Sequence, residues 1–96
     1  MSTIKDYKMF IGGSWVDSES KKTFETLNPE NNEPWAKVPE ANEKDVDKAV
    51  VAAQKAFEGE WSKLFARERG NFLRKIAKEL RENAELLGKI ETIDTG

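Results

Sequence analysis

The spacing of apolar and polar positions changes near residue 42. Upstream, short β-branched and aromatic runs are interrupted by Gly, Pro and Asn. Downstream there is no proline, and apolar residues recur every three or four positions. The first pattern predicts strands and turns, the second amphipathic helices. Lys8-Met9-Phe10-Ile11 and Ser14-Trp15-Val16-Asp17 flank Gly12-Gly13. Tight hairpin turns need positive φ, which glycine supplies, so these runs predict a hairpin. Thr23-Phe24-Glu25-Thr26-Leu27 and Pro34-Trp35-Ala36-Lys37-Val38 predict a second, joined by a turn-rich stretch in which Asn32 tolerates the left-handed conformation. Pro34 has no N–H and suits a strand start or an edge.

Asn42 predicts a helix N-cap, with Asp45 near the positive end of the helix dipole. Val46, Ala49, Val50, Ala53, Ala56 and Phe57 then form one stripe, which Gly59 ends. A short connection, Glu60 to Phe65, carries Trp61 and Leu64. A second helix has Phe72, Leu73, Ile76, Ala77 and Leu80 on one face, and its stripe is too short for a coiled-coil seam. Asn83 is expected to cap a third, with Leu86, Leu87, Ile90 and Ile93 as its apolar set. Gly70 lies inside the second helix at a cost of about 1 kcal/mol relative to Ala. Either close backbone packing or an unselected position accounts for it.

Ninety-six residues make at most one small domain. Its 18 acidic and 16 basic side chains leave a net charge of −2, with no basic stripe of the kind that grips nucleic acid. With no cysteine and no histidine, a disulfide framework, a thiolate nucleophile, a His-based triad and the usual zinc sites are excluded. No apolar run is long enough for a membrane span. Met1-Ser2-Thr3-Ile4-Lys5-Asp6 lacks the apolar centre of a signal peptide, so a cytoplasmic location is expected. With a mean hydropathy of −0.74, little apolar material is available to bury. A chain this short buries only about 60–65% of its unfolded surface, so stability would be marginal for it alone. Three Trp and five Phe serve either an internal core or a surface that expects cover.

No catalytic constellation emerges. The lysines at 48, 55, 75 and 78 read as charged backs of helices, and Glu82, Glu85 and Lys89 as surface ion-pair formers. Gly12-Gly13 lacks the spacing of a phosphate loop and is followed by a strand. On the residues alone, the chain is a mixed assembly of hairpins followed by helices.

The order of its segments resembles the opening of aldehyde dehydrogenases. Phe10-Ile11-Gly12-Gly13-Ser14-Trp15-Val16, Thr23-Phe24-Glu25-Thr26-Leu27-Asn28-Pro29 and Val38-Pro39-Glu40-Ala41 carry the likeness. So do Asp45-Val46-Asp47-Lys48-Ala49-Val50, with Ala52-Ala53 and Ala56-Phe57, and the final Glu91-Thr92-Ile93-Asp94-Thr95-Gly96, similar to that family's E-T-x-D-x-G segment. No single segment is specific; five in order are strong together. Two departures stand out: Phe65-Ala66 replaces the family's Thr-Pro or Ser-Pro before the second helix, leaving Ser62 as a candidate cap, and Glu30-Asn31-Asn32 follows Asn28-Pro29 where relatives often carry Gly before Glu.

The resemblance implies an α/β fold in which residues 8–41 give hairpins and residues 42–96 two or three helices. Together they would form the N-terminal part of a Rossmann-like cofactor-binding domain in a much longer parent enzyme. That parent would oxidise an aldehyde to a carboxylic acid with NAD or NADP, as a homo-oligomer. The family's catalytic cysteine and glutamate and its cofactor loop match nothing here, so no catalytic or cofactor-binding residue is assigned and inactivity is expected of this chain alone. One family site does match: a monovalent cation held by oxygens at positions equivalent to Thr26, Leu27 and Asp94. The plain alternative makes Thr26 an ordinary strand residue and Asp94 a turn cap. The rival reading of the whole chain is a non-catalytic helical interaction module.

Overall fold

The computed structural model describes residues 4–96; residues 1–3, the start of the stretch read for a signal peptide, lie outside it. Five strands precede four helices. They are β1 (Lys5–Asp6), β2 (Met9–Ile11), β3 (Ser14–Val16), β4 (Thr23–Asn28), β5 (Glu33–Pro39), α1 (Glu43–Glu58), α2 (Glu60–Lys63), α3 (Ala66–Glu82) and α4 (Ala84–Thr95).

Both expected hairpins form. β2 and β3 pair antiparallel around Gly12 (φ +60°) and Gly13 (φ +81°), the backbone of a two-residue hairpin turn. Phe10 lies opposite Trp15, their rings 4.9 Å apart edge to face. Lys8 and Asp17 close the open end as an ion pair, and this contact holds the Asp17 carboxyl below its ordinary range. In the second hairpin β4 pairs antiparallel with β5. Its turn is tied by Asn side chains: Asn28 Oδ1 accepts from Glu30 N and Asn31 Oδ1 from Glu33 N, each at 3.0 Å. Asn32 takes the left-handed conformation, φ 59°.

One strand was not foreseen. β1 adds in parallel to the free side of β5, with Lys5 opposite Ala36 and Asp6 opposite Lys37. The sheet order is β1-β5-β4, so β5 is central, and Pro34 lies outside the span that β1 pairs.

Asn42 caps α1 as expected. Its Oδ1 accepts from Asp45 N at 3.1 Å, while Asp45 Oδ2 accepts from Asn42 N at 2.9 Å. Asp45 is buried, 3% exposed, and its Oδ1 also accepts from Glu19 N at 3.0 Å. Gly59 ends α1, though with φ −90° instead of a left-handed turn. Glycine is needed there for space, since a Cβ would lie 2.8 Å from the Lys55 carbonyl oxygen.

Three capping and linking expectations are corrected. Residues Glu60–Lys63 are a helical turn, α2, instead of irregular chain. Ser62 does not cap α3, because it lies within α2 and donates to the Gly59 carbonyl at 2.6 Å. The cap of α3 is reached from inside the helix, where Glu68 Oε1 accepts from Phe65 N at 3.1 Å. Asn83 stands at the start of α4, but its side chain turns back and donates to the Glu79 carbonyl at 2.9 Å, closing α3 instead. Among the described residues nothing packs closely on Gly70: a Cβ there would meet no atom of theirs within 4 Å.

The elements scarcely cover one another. Ala36 is the one buried hydrophobic residue among those described. Val50, Phe57, Leu73, Ile76 and Leu80, the expected apolar stripes, are all more than half exposed. The accessible surface is 8224 Å². A folded monomer of this mass exposes about 5,600 Å². The radius of gyration is 16.9 Å. A compact chain of this length has about 12–13 Å. The amphipathic faces are therefore formed as helices and left uncovered.

Candidate functional site

Asp94 lies in the last turn of α4, one residue before the helix ends. That is an unfavourable place for a carboxylate, because the helix dipole is negative there. Glu91 lies three residues earlier on the same side, and α4 has no basic residue in its last turn. The local field therefore favours positive charge.

Two donors from the sheet meet Asp94. Thr26 Oγ1 on β4 donates to Asp94 Oδ1 at 2.7 Å, and Trp35 Nε1 on β5 donates to the same oxygen at 3.2 Å. Both bonds concentrate on Oδ1. Among the described residues, Oδ2 has no hydrogen-bonding or ionic partner. Asp94 is exposed, whereas Thr26 and Trp35 are half-buried.

These contacts lie in an open cleft between the sheet and α4, walled by Phe24, Thr26, Ala36 and Val38 on one side and Leu87 and Ile90 on the other. Tyr7 lies at its edge, with its ring 6.0 Å from that of Trp35 at 74°. Trp35 reaches the cleft through a fault in the ladder. Thr26 pairs with Ala36 and Leu27 with Pro34, so Trp35 is left without a partner. In an unbroken strand, neighbours point to opposite faces, and Trp35 would face away from Ala36. The bulge brings both to the same cleft.

Of the three residues the resemblance pointed to, the structure joins Thr26 and Asp94 directly. Leu27 follows on β4 with its side chain 43% exposed and makes no polar side-chain contact. Trp35 was missed. A bulge leaves no reliable mark on a sequence, and the neighbouring Pro34 is the only hint of an irregular ladder. No group of three or more metal-binding side chains occurs among the described residues. Asp94 and Glu91 are the carboxylates that line the cleft, so a cation here would draw on backbone carbonyls beside them. Those are hard oxygen donors, suited to a hard cation. No described helix is long and apolar enough to cross a membrane.

The sequence profile of the aldehyde dehydrogenase family matches residues 15–96. The chain is 49% identical over 88 residues to an aldehyde dehydrogenase of Aspergillus niger, covering 92% of this chain and 18% of that one. It is 46% identical over 91 residues to the mitochondrial 10-formyltetrahydrofolate dehydrogenase of Homo sapiens, covering 94% and 10%. The NAD+ complex of an aldehyde dehydrogenase from Bacillus cereus superimposes with a TM-score of 0.93 at 42% identity, over 96% of this chain and 19% of that one. The fold is therefore an α/β arrangement of the dehydrogenase kind. The chain belongs to the aldehyde dehydrogenase family. It spans less than a fifth of the length of these relatives.

Proposed function

We propose that this chain serves in an enzyme that oxidises an aldehyde to a carboxylic acid, using NAD or NADP. The observation that supports this most directly is the superposition on the Bacillus cereus enzyme, solved with NAD+, over 96% of the chain. The cofactor, when bound, accepts the hydride. What these 96 residues contribute is framework: two hairpins and three long helices whose apolar faces await cover. They hold no thiol nucleophile, since these residues include no cysteine.

The second part of the reading concerns the cleft. Asp94 gives a carboxylate oxygen, and Thr26 and Leu27 give backbone carbonyls, to a monovalent cation that helps fix α4 against the sheet. The dipole-negative end of α4, the neighbouring Glu91 and the unshared Oδ2 of Asp94 support this.

An activity assay tests the enzymatic reading. The intact protein should form NADH or NADPH when given an aldehyde, and the 96-residue chain alone should form none. Aldehyde-dependent NADH from the short chain would refute the assignment of framework alone. Inactivity of the intact protein towards a panel of aliphatic and aromatic aldehydes would refute the enzymatic reading.

A further inference from the structure

We propose that Trp35 is a positioning residue for the Asp94 carboxylate, turned into the cleft by the bulge in β5 so that Asp94 presents its second oxygen to the cation. The inference rests on the cation reading above and extends it to a residue the family resemblance did not supply.

Three observations carry it. The ladder skips Trp35, although the strand on either side pairs normally. Bulges re-aim side chains, and this one aims an indole N–H at a carboxylate on another element. Next, Trp35 Nε1 and Thr26 Oγ1 bind the same oxygen of Asp94, at 3.2 and 2.7 Å. Two donors on Oδ1 fix the rotation of the carboxylate and leave Oδ2 without a partner among the described residues. Finally, Tyr7, which lines the same cleft, packs edge to face against Trp35 and restrains the indole. A carboxylate at the negative end of a helix, beside Glu91, gains nothing from its own helix. Its orientation must come from the sheet, and Trp35 and Thr26 are the groups that supply it. Hydrogen-bonded partners of a ligating carboxylate typically change metal affinity by about 10- to 100-fold when removed.

The test uses the intact protein and potassium ion. Thermal midpoints are measured against KCl concentration, with N-methylglucamine chloride holding the ionic strength constant. The unaltered protein should be stabilised by K⁺, and Asp94→Asn should lose that dependence. Trp35→Phe should keep the midpoint seen without K⁺ to within a few degrees while needing about tenfold more K⁺ for half the stabilisation. A merely structural indole would lower the K⁺-free midpoint and leave the half-point unchanged, which would overturn the proposal while sparing the cation reading. If the unaltered protein shows no K⁺ dependence, both fall. Should Trp35→Phe not fold, ¹⁹F NMR decides the matter without touching Trp35. In the intact protein labelled with 5-fluorotryptophan, the resonance that shifts on Tyr7→Leu substitution, and so belongs to Trp35, should move on adding K⁺. A resonance that stays put overturns the proposal.

Discussion

The buried Asp45 carboxylate accepts a hydrogen bond from the Glu19 backbone N–H at 3.0 Å, joining the first turn of α1 to the loop that follows the first hairpin. The same side chain also completes the cap of α1 through Asn42 N. One carboxylate thus satisfies donors of two elements remote in sequence.

Asp45→Ala should therefore cost more than an ordinary cap. The loss of a capping partner is worth about 1 kcal/mol. The lost hydrogen bond from the Glu19 N–H adds about 1 kcal/mol, since Glu19 is itself exposed. Urea unfolding of the intact protein should show a lower midpoint for Asp45→Ala, with Asp45→Asn between the two, because an amide offers a single acceptor oxygen. Equal midpoints for Asp45→Ala and the unaltered protein would show that the junction contributes nothing.

Lys8 and Asp17 set a pH dependence at the mouth of the first hairpin. The Lys8 hydrogen bond, followed by its charge, depresses the Asp17 pKa. A depressed carboxyl stabilises the fold fully above its unfolded pKa, and that contribution is lost as pH falls through the folded value. The affected window is therefore acidic, below the ordinary carboxylate range near pH 4. Lys8→Met should raise the Asp17 pKa towards that range in an NMR titration of its carboxyl carbon. Both groups are half exposed, so added salt should shrink the difference.

Three glycines should respond differently to the same substitution. Gly13→Ala forces a side chain onto φ +81° and should destabilise by about 1–2 kcal/mol. Gly59→Ala should also destabilise, because its Cβ would collide with the Lys55 carbonyl. Gly70→Ala should stabilise by about 1 kcal/mol, since the new methyl meets open space in a helix interior. Thermal midpoints of the three variants check the order. A loss at Gly70 would mean that something packs there in the intact protein.

The 96-residue chain expressed on its own should bind a hydrophobic dye such as ANS. Its tryptophan emission should be quenched efficiently by acrylamide, Trp15 above all, at 69% exposure. A cooperative monomer with shielded rings and no dye binding would show that the helical faces find cover within the chain.

Much of this architecture is written in local patterns. The glycine pair, the Asn-rich turn and the Asn42 cap each act within a few residues, so the sequence displays them directly. The three- and four-residue spacing of apolar positions likewise marks three long helices. What escaped notice acts at a distance. The strand at Lys5–Asp6 is too short for any periodicity and takes its meaning from a parallel partner far along the chain. Asn83 has two helices to serve, and sequence alone does not say which one its amide closes. The candidate site divides in the same way. Thr26 and Asp94 became visible through a family resemblance, whereas Trp35 depends on a skipped rung that no local rule encodes.

The parallel docking of β1 also leaves one edge of the sheet held by a short pairing. β4 and β5 meet across a short turn, but Lys5 must find Ala36 across about thirty positions, a larger loop to close. With two paired positions against the six of the β4–β5 ribbon, the N-terminal strand is expected to be the first part of this sheet to open, a short clasp on a longer ribbon.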